Sequence, residues 1–421
     1  METEGKYRPR LVDAELAQIM TGLGAVVVEG PRACGKTWTA TNLASSRLDV
    51  DVDPTVQVAM ETDPALLLRG PVPRLLDEWQ LRPELWDLVR REVDARQLPG
   101  QFILTGSATP TETARTHSGA GRFGWVRMRP MSLWESGDST GQVQLQDLIE
   151  QNAIGADLDQ RSVGEMAHLI VRGGWPETVG KPATAARAFA SSHLRALSEV
   201  DLSRFTARQR DPVRVRRLLR SLARAESSST SVRAIATDVG QSADQTISRS
   251  TVIDHLHALD QLMVSDDLPA WSAALRSRAT LRTVPVRHLA DPSLAAAALG
   301  AGVERLTGDL NTLGLLFESL VIRDLRVYAQ ALGGEVYHYR DSNGHEIDAI
   351  IELADGSWGA CEIKLGTRAT ERAAASLAAA VDQIDTKVTG PPAFMAVVTG
   401  SGFAARRADG VYVVPIGTLR P

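Results

Sequence analysis

The chain has 421 residues, of which 43% are hydrophobic, 23% are charged and 5% are aromatic, and its formal net charge is -5. This length suits about two to four domains that each bury a core, and the slight negative charge excludes a general affinity for polyanions. The first residues lack a signal-peptide pattern, and no apolar run approaches the roughly 20 residues that span a bilayer. With only Cys34 and Cys361 present, we expect a cytoplasmic protein without a membrane partner.

The first predicted elements surround a glycine-rich loop. A helix is predicted over 8–23, a buried strand over Val26–Glu29 and a helix from Thr37. Between strand and helix lies the pattern G-x-x-x-x-G-K-[ST], whose backbone N–H groups can surround a phosphate. The residues predicted to bind a nucleotide here are Gly30, Pro31, Arg32, Ala33, Cys34, Gly35, Lys36 and Thr37. Lys36 would reach the β- and γ-phosphates and Thr37 would ligate Mg²⁺, whereas the alternative is an ordinary glycine turn.

An apolar strand that ends in two acids follows downstream. After a predicted short strand over 48–52 and a helical turn over 64–68, the stretch 74–80 carries Asp77 and Glu78 at a strand end. In an ATPase site Asp77 would hold Mg²⁺ and Glu78 would polarise the attacking water as a general base. The alternative is an exposed strand end, which the spacing of about 40 residues from the phosphate loop disfavours.

The next strand carries candidate sensors of the γ-phosphate. A helix is predicted over 83–96 and a buried strand over 101–107, where phosphate-loop ATPases place a polar residue, here Thr105 or Ser107. The alternative is a plain strand-to-turn junction. Arg122 precedes a further predicted strand over 125–130 and could act as a catalytic arginine finger on the nucleotide of a neighbouring subunit. It could equally be a surface arginine.

These motifs together resemble bacterial and archaeal AAA-type ATPases with a C-terminal domain of uncharacterised function. The resemblance implies ATP and Mg²⁺ as cofactors, a RecA-like parallel sheet in an α/β core, and ATP hydrolysis. It rests on Gly30–Thr37, Leu76–Gln80, Leu104–Ser107, Gly121-Arg122, Arg129–Ser132 and Arg172–Glu177.

The middle of the chain is rich in arginine. We predict a connector with one helix over 136–160, then lid helices over 163–171 and 185–202. Residues 203–234 hold nine arginines and two acids, and this net +7 inside an acidic chain could contact a phosphate backbone. A solvated helix face paired with acidic neighbours is the alternative.

A winged helix-turn-helix is predicted next. Its helices would span 232–239 and 250–263, and its wing would begin in 264–271. The interval 240–249 is longer than the usual turn of about three to four residues, and the alternative is a winged helix used only for packing. A second cationic stretch over 276–287 could also contact DNA.

The last part of the chain carries a second chemical pattern. A helix over 313–332 presents Glu318, and two paired strands carry Asp348 and the pair Glu362 and Lys364, which strand alternation places on one face. Glu318, Asp348 and Glu362 could bind Mg²⁺, and Lys364 could orient or activate water as a catalytic residue. A structural network of ion pairs is the alternative.

This second pattern resembles a restriction-endonuclease-like core with its Asp…Glu-x-Lys signature. We therefore predict a phosphate-loop ATPase core over 1–160, a helical lid over 161–205, a winged-helix-like region over 206–290 and an endonuclease-like α/β domain over 291–421. The predicted function is Mg²⁺-dependent ATP hydrolysis that gates DNA binding or processing, in a protein that could form homo-oligomers. The alternative is a nucleotide-switched regulator that binds DNA or protein through an inactive nuclease-like fold.

Overall fold

The computed structural model describes residues 7–107, 119–202, 211–241, 248–272 and 284–421. The chain divides into two compact units, one of residues 1–130 with 259–264 and the other of residues 131–258 with 265–421. Within the described ranges, no helix is both long enough and apolar enough to cross a membrane.

The first unit is built on a five-stranded parallel sheet in the order β2-β3-β4-β1-β5. Its strands are β1 (Ala25–Glu29), β2 (Ser46–Asp49), β3 (Arg74–Asp77), β4 (Phe102–Gly106) and β5 (Phe123–Arg127). The central strands β1 and β4 are apolar runs because helices cover both faces of such a sheet.

The helices of this unit follow the strands that they connect. They are α1 (Val12–Gly22), α2 (Lys36–Leu43), α3 (Thr55–Thr62) and α4 (Glu84–Arg96), with 3₁₀ turns at Pro64–Leu68 and Trp79–Leu81. Trp79 and Trp86 are buried in the core beside Phe102 and Phe123, and Trp86 stacks on Phe123 with ring centroids 3.9 Å apart. Trp79 is thus a packing group of this core.

The second unit begins with helices. They are α5 (Leu133–Ser136), α6 (Leu145–Ile149), α7 (Val163–Arg172), α8 (Ala183–Ala196), which continues as a π-turn over Leu197–Asp201, α9 (Pro212–Arg224), α10 (Val232–Gln241), α11 (Arg249–Gln261), α12 (Pro292–Leu299), α13 (Val303–Thr307) and α14 (Leu310–Ala331). Helix α11 contributes its last residues to the first unit. The start of the predicted wing pairs with 286–289 through the bridges Ser265–Leu289 and Leu268–Val286.

A buried charge cluster joins three segments of this unit. Arg323 on α14 donates to Asp291 (2.8 Å) and to its neighbour Asp324, and all three side chains are almost fully buried. Asp324 in turn accepts from the Leu133 amide at 2.9 Å, and Asp291 accepts from the Gly174 amide at 2.9 Å. Because each carboxylate has a cation and a backbone donor, the cluster holds residues 131–135 and the Gly-Gly turn after α7 against α14.

The C-terminal sheet has six strands in the order β11-β12-β10-β9-β8-β7. They are β7 (Glu335–Arg340), β8 (Glu346–Glu352), β9 (Trp358–Lys364), β10 (Phe394–Thr399), β11 (Ala405–Arg406) and β12 (Tyr412–Pro415), crossed by α15 (Thr370–Val381) and α16 (Thr386–Thr389). Strands β7, β8 and β9 are antiparallel neighbours, whereas β9, β10 and β12 run parallel. A two-residue ladder joins β6 (Val143–Gln144) to β13 (Leu419–Arg420).

These elements confirm an α/β protein with a parallel N-terminal sheet, a helical middle and a mixed C-terminal sheet. The predicted strand over 48–52 is displaced, because the amides of Val52 and Asp53 turn back onto the Asp49 carbonyl and end the strand there. The predicted connector over 136–160 contains one helix, α6, and the short helix α5 ends where the connector begins, started by a capping box of Ser132 and Glu135. Residues 131–160 belong to the second unit, so the first boundary lies after residue 130 and not at the predicted residue 160.

Candidate functional site

The strand order brings the N-terminal motif residues to one edge of the parallel sheet. Strand β4 lies between β1 and β3, with Thr105 opposite both Val28 and Asp77. The phosphate-loop pattern follows β1 directly, so the loop, Asp77 and Thr105 meet at the carboxyl ends of three adjacent strands. Ligands of open α/β sheets bind outside this edge.

The loop backbone is shaped by the two motif glycines and by Arg10, which the sequence patterns do not single out. Gly30 lies so close to β5 that a Cβ would meet the Met128 carbonyl oxygen at 2.1 Å. Gly35 (φ 106°) and Ala33 (φ 66°) have left-handed backbones, and Gly35 opens α2. Arg10, which is buried, donates to the Cys34 carbonyl at 2.8 Å and so holds the loop from behind. The Cys34 thiol is buried and contacts the Met128 carbonyl.

Lys36 is buried, with 5% of its surface exposed. Its ammonium donates to the carbonyls of Gly30 (2.8 Å) and Pro31 (2.9 Å). Among the residues that the structure describes, no carboxylate forms an ion pair with it. A buried cation held by two carbonyl dipoles alone is short of negative charge, which a phosphate group would supply.

Asp77 is the centre of the polar contacts at this edge. Its Oδ1 accepts from the Thr37 hydroxyl (3.0 Å) and from the Thr105 hydroxyl. Its Oδ2 accepts from the Arg47 guanidinium at 3.0 Å. The predicted pair Thr37 and Asp77 is thus brought together, and the contact of Arg47 was not predicted.

Glu78 takes a left-handed backbone conformation (φ 56°), which a non-glycine residue adopts at a cost of about 1 kcal/mol or more. Its carboxylate accepts from the Ser107 hydroxyl at 3.3 Å and from the Gln80 side-chain amide. The turn after β3 therefore aims Glu78 toward the end of β4, beside one of the two predicted sensor residues.

Arg122 lies on the loop before β5. It donates to Asp94 at 2.8 Å and to the Ala120 carbonyl at 3.0 Å, and its side chain is 44% exposed. The surface-arginine interpretation accounts for these contacts. Its role as an arginine finger stays a prediction.

A second polar cluster lies on the hairpin of β8 and β9. The Lys364 ammonium is 2.8 Å from Glu362 Oε1 and 3.5 Å from Asp348 Oδ2. Asp348 Oδ2 also accepts from the Ile363 amide at 2.8 Å. These contacts follow from the hairpin register, in which Ala349 faces Cys361. Of the four predicted residues, Asp348, Glu362 and Lys364 are therefore in contact.

Burial and the neighbouring charges shift the pKa values of the residues in and beside this hairpin cluster. Burial, and then the neighbouring Asp348, raise the pKa of Glu362 to about 7. Burial and Asp348 also raise the pKa of Glu318 well above its usual range, which places Glu318 within electrostatic reach. Burial alone would lower the pKa of Lys364, but Asp348 and Glu362 outweigh it and raise that pKa.

The cluster on β8 and β9 is also where the sequence predicts the second Mg²⁺ site. In the described ranges no group of three or more His, Cys, Asp or Glu side chains is arranged to hold a metal ion. The Lys364 ammonium lies between Asp348 and Glu362, where a bridging ion would sit. The Mg²⁺ ligand set therefore stays a prediction.

The basic segments are described only in part. Arg204, Arg208, Arg210, Arg276, Arg278 and Arg282 lie outside the described residues. On α9, Arg214, Arg216 and Arg224 pair with Asp211, Glu199 and Asp238, as the alternative interpretation expects. The inclusion of Arg287 in a DNA-contacting surface is wrong, because its side chain is buried and paired with Asp267.

Three family profiles match consecutive parts of the chain. An AAA domain matches residues 24–136, and two domains of unknown function match residues 164–305 (DUF8612) and 313–419 (DUF4143). The N-terminal part is therefore an AAA-type phosphate-loop domain. The winged-helix and endonuclease-like assignments gain no support from these profiles.

Two curated proteins and one solved structure are also similar. The uncharacterized proteins Rv2008c of Mycobacterium tuberculosis and Mb2031c of Mycobacterium bovis are each 26% identical over 353 residues, or 82% of this chain and 71% of theirs. The Aeropyrum pernix ORC1 protein, solved in complex with DNA, is 15% identical, with coverage of 73% of this chain and 95% of that chain and a TM-score of 0.28.

Proposed function

We propose that the AAA-type domain binds ATP with Mg²⁺ and hydrolyses it at the carboxyl edge of its parallel sheet. The observation that carries this proposal is the buried Lys36 ammonium, which has carbonyl acceptors but no ion pair with a described acid. Triphosphate oxygens would supply the missing negative charge. The surrounding N–H groups of the loop and of α2 suit the same ligand.

The polar side chains around Asp77 fit the cation. Thr37 and Asp77, whose oxygens are 3.0 Å apart, would hold Mg²⁺ directly and through its water shell. Bound Mg²⁺ would neutralise charge on the phosphates. Glu78 would take the proton of the attacking water. Thr105 contacts Asp77 and Ser107 contacts Glu78, and these two hydroxyls would sense whether the γ-phosphate is bound.

The variant Glu78→Gln tests ATP hydrolysis separately from ATP binding. We expect this variant to bind a fluorescent ATP analogue as wild type does, while phosphate release falls at least about 100-fold. Glu84→Gln, at the start of α4 in the same unit, is the matched control. Unchanged phosphate release in Glu78→Gln would overturn the role of Glu78, and absence of nucleotide binding by wild type would overturn the proposal.

For the second unit we propose that the nucleotide state gates DNA binding or processing. Support comes from the contacts among Asp348, Glu362 and Lys364 and from the arginines of α9, where Arg217 and Arg220 have no ion pair with a described acid. The cluster and its order helix, strand, strand suit an endonuclease-like core. The alternative is a nucleotide-switched regulator in which the same cluster binds DNA or protein without cutting.

A nuclease assay with Mg²⁺ or Mn²⁺ separates these two. Nicking by wild type that Asp348→Ala loses, and that Asp355→Ala on the exposed β8–β9 turn keeps, supports processing. If no substrate is cut but ATP changes the affinity for DNA, the regulator is correct. DNA binding that is absent with and without ATP contradicts a DNA role altogether.

A further inference from the structure

Arg47 lies where the proposed magnesium site and the edge of the sheet meet. Its Nη2 donates to Asp77 Oδ2 at 3.0 Å, while Thr37 and Thr105 both use Asp77 Oδ1. Asp77 is only 6% exposed, so its carboxylate needs a compensating charge, and Arg47 supplies it. The oxygen left for a hydrated cation is thus already taken by a guanidinium.

Arg47 also has a second carboxylate within reach. Its Nε donates to Asp49, two residues along the edge strand β2, and both side chains are more than one third exposed. The guanidinium borders a surface cleft of about 430 Å³ that Asp53 and Arg74 also line. It can therefore leave Asp77 without losing either a counter-ion or contact with solvent.

We propose that Arg47 is a positioning residue that competes with Mg²⁺ for Asp77, and that it releases Asp77 but keeps its bond to Asp49 when Mg²⁺ and nucleotide bind. This inference rests on the proposed ATP site. Without the cation, Arg47 neutralises the buried Asp77 and keeps the strand end intact. When Mg²⁺ is present, Mg²⁺ and the Arg47 guanidinium compete for one oxygen of Asp77, so Arg47 lowers the affinity for Mg²⁺. Because Arg47 is on β2, the affinity for Mg²⁺ then depends on the position of that strand.

Two substitutions should move the magnesium affinity in opposite directions. In Arg47→Gln we expect the Mg²⁺ concentration for half-saturation to fall about three- to tenfold, because the competing charge is gone. In Asp49→Asn it should rise about two- to threefold, because Arg47 loses its alternative partner. Asp49→Asn should have little further effect in an Arg47→Gln background, since the two residues act through one ion pair.

The experiment titrates Mg²⁺ against the full chain saturated with a fluorescent ATP analogue and follows the emission of the bound analogue. Arg69→Gln, at a solvent-exposed pair with Asp63 in the same unit, is the matched control and should behave as wild type. Thermal unfolding in EDTA adds a second readout. Arg47→Gln should unfold at a lower temperature than wild type in EDTA and recover with Mg²⁺ and nucleotide.

Each outcome of these experiments either supports or overturns the role of Arg47. Half-saturation that is unchanged or higher in Arg47→Gln overturns the inference, as does an equal loss of thermal stability with and without Mg²⁺, which is the mark of a merely structural role. If Arg47→Gln does not fold, the sign of the Asp49→Asn shift decides alone. If wild type binds no nucleotide, the proposed function fails; if wild type requires Mg²⁺ and both variants match it, only the role of Arg47 fails.

Discussion

The two polar clusters of this chain have opposite charge imbalances. At the edge of the parallel sheet, Lys36 is a buried cation held by carbonyl oxygens, and Asp77 is shared by two hydroxyls and Arg47. On the β8–β9 hairpin, Glu318, Asp348 and Glu362 share the electrostatic field of one ammonium, that of Lys364. In the first cluster Lys36 is a cation without a carboxylate partner among the described residues, whereas the second cluster is short of positive charge.

That difference indicates what each cluster can bind. A site with a buried cation and converging N–H groups favours a polyanion, and this agrees with the AAA-type domain that contains it. A site with crowded carboxylates favours a cation or stays partly protonated, as the raised pKa of Glu362 shows. A lysine therefore has a different meaning in the two clusters: Lys36 attracts the ligand, whereas Lys364 occupies the place of one.

The largest expected effect comes from a residue that supports the helix of the second cluster. Arg323→Met leaves Asp291 and Asp324 buried without their cation, so the second unit should lose about 3–5 kcal/mol of stability. Chemical denaturation, followed by the near-ultraviolet signal, measures this loss. Arg340→Met, which breaks the exposed pair with Glu346, should cost less than about 1 kcal/mol. Similar losses in the two variants would contradict the structural role of the buried cluster.

The two lysines provide the next test. Lys36→Ala should weaken binding of a fluorescent ATP analogue at least about 100-fold, because the buried cation is lost. Lys364→Ala should leave the same affinity within about twofold, because its charge serves another cluster. A comparable loss from both substitutions would mean that the charge imbalance does not identify the nucleotide site.

The motifs at the ends of strands could be predicted because they are local. Gly30 to Thr37, Asp77 and Thr105 follow from patterns of a few residues and from the rule that parallel strands end at one edge. The hairpin meeting of Asp348, Glu362 and Lys364 follows equally from strand alternation. Short-range spacing was sufficient in both cases.

Contacts between residues distant in sequence could not be predicted in this way. Arg10 and Arg47 are two among 41 arginines, and nothing local marks the one that reaches Cys34 or the one that reaches Asp77. The burial of Arg287 likewise depends on Asp267, 20 residues away, so charge counting placed it on a surface. Only the fold identifies these partners.

The pH dependence of stability should sharpen the contrast further. Glu362 has a folded pKa of about 7 against 4.5 when unfolded, so its protonated form stabilises the fold. This contribution is complete below pH 4.5 and is lost as the pH rises through about 7. Relative to Glu362→Gln, wild type should therefore lose stability between pH 5 and pH 8 in denaturation experiments. A difference between the two that does not change with pH would mean that Glu362 is not crowded by negative charge.

The smallest expected effect concerns Arg122, whose two interpretations differ in a measurable way. Its exposed pair with Asp94 should contribute less than about 1 kcal/mol, so Arg122→Ala and Asp94→Ala should each unfold almost as wild type does. Phosphate release from dilute protein should also stay within about twofold of wild type, because the contacts of Arg122 with described residues, Asp94 and Ala120, lie away from the phosphate loop. If Arg122 acts on a neighbouring subunit, release should depend on protein concentration in wild type and lose that dependence in Arg122→Ala. Asp94→Ala should then strengthen it, because the arginine is freed from its partner.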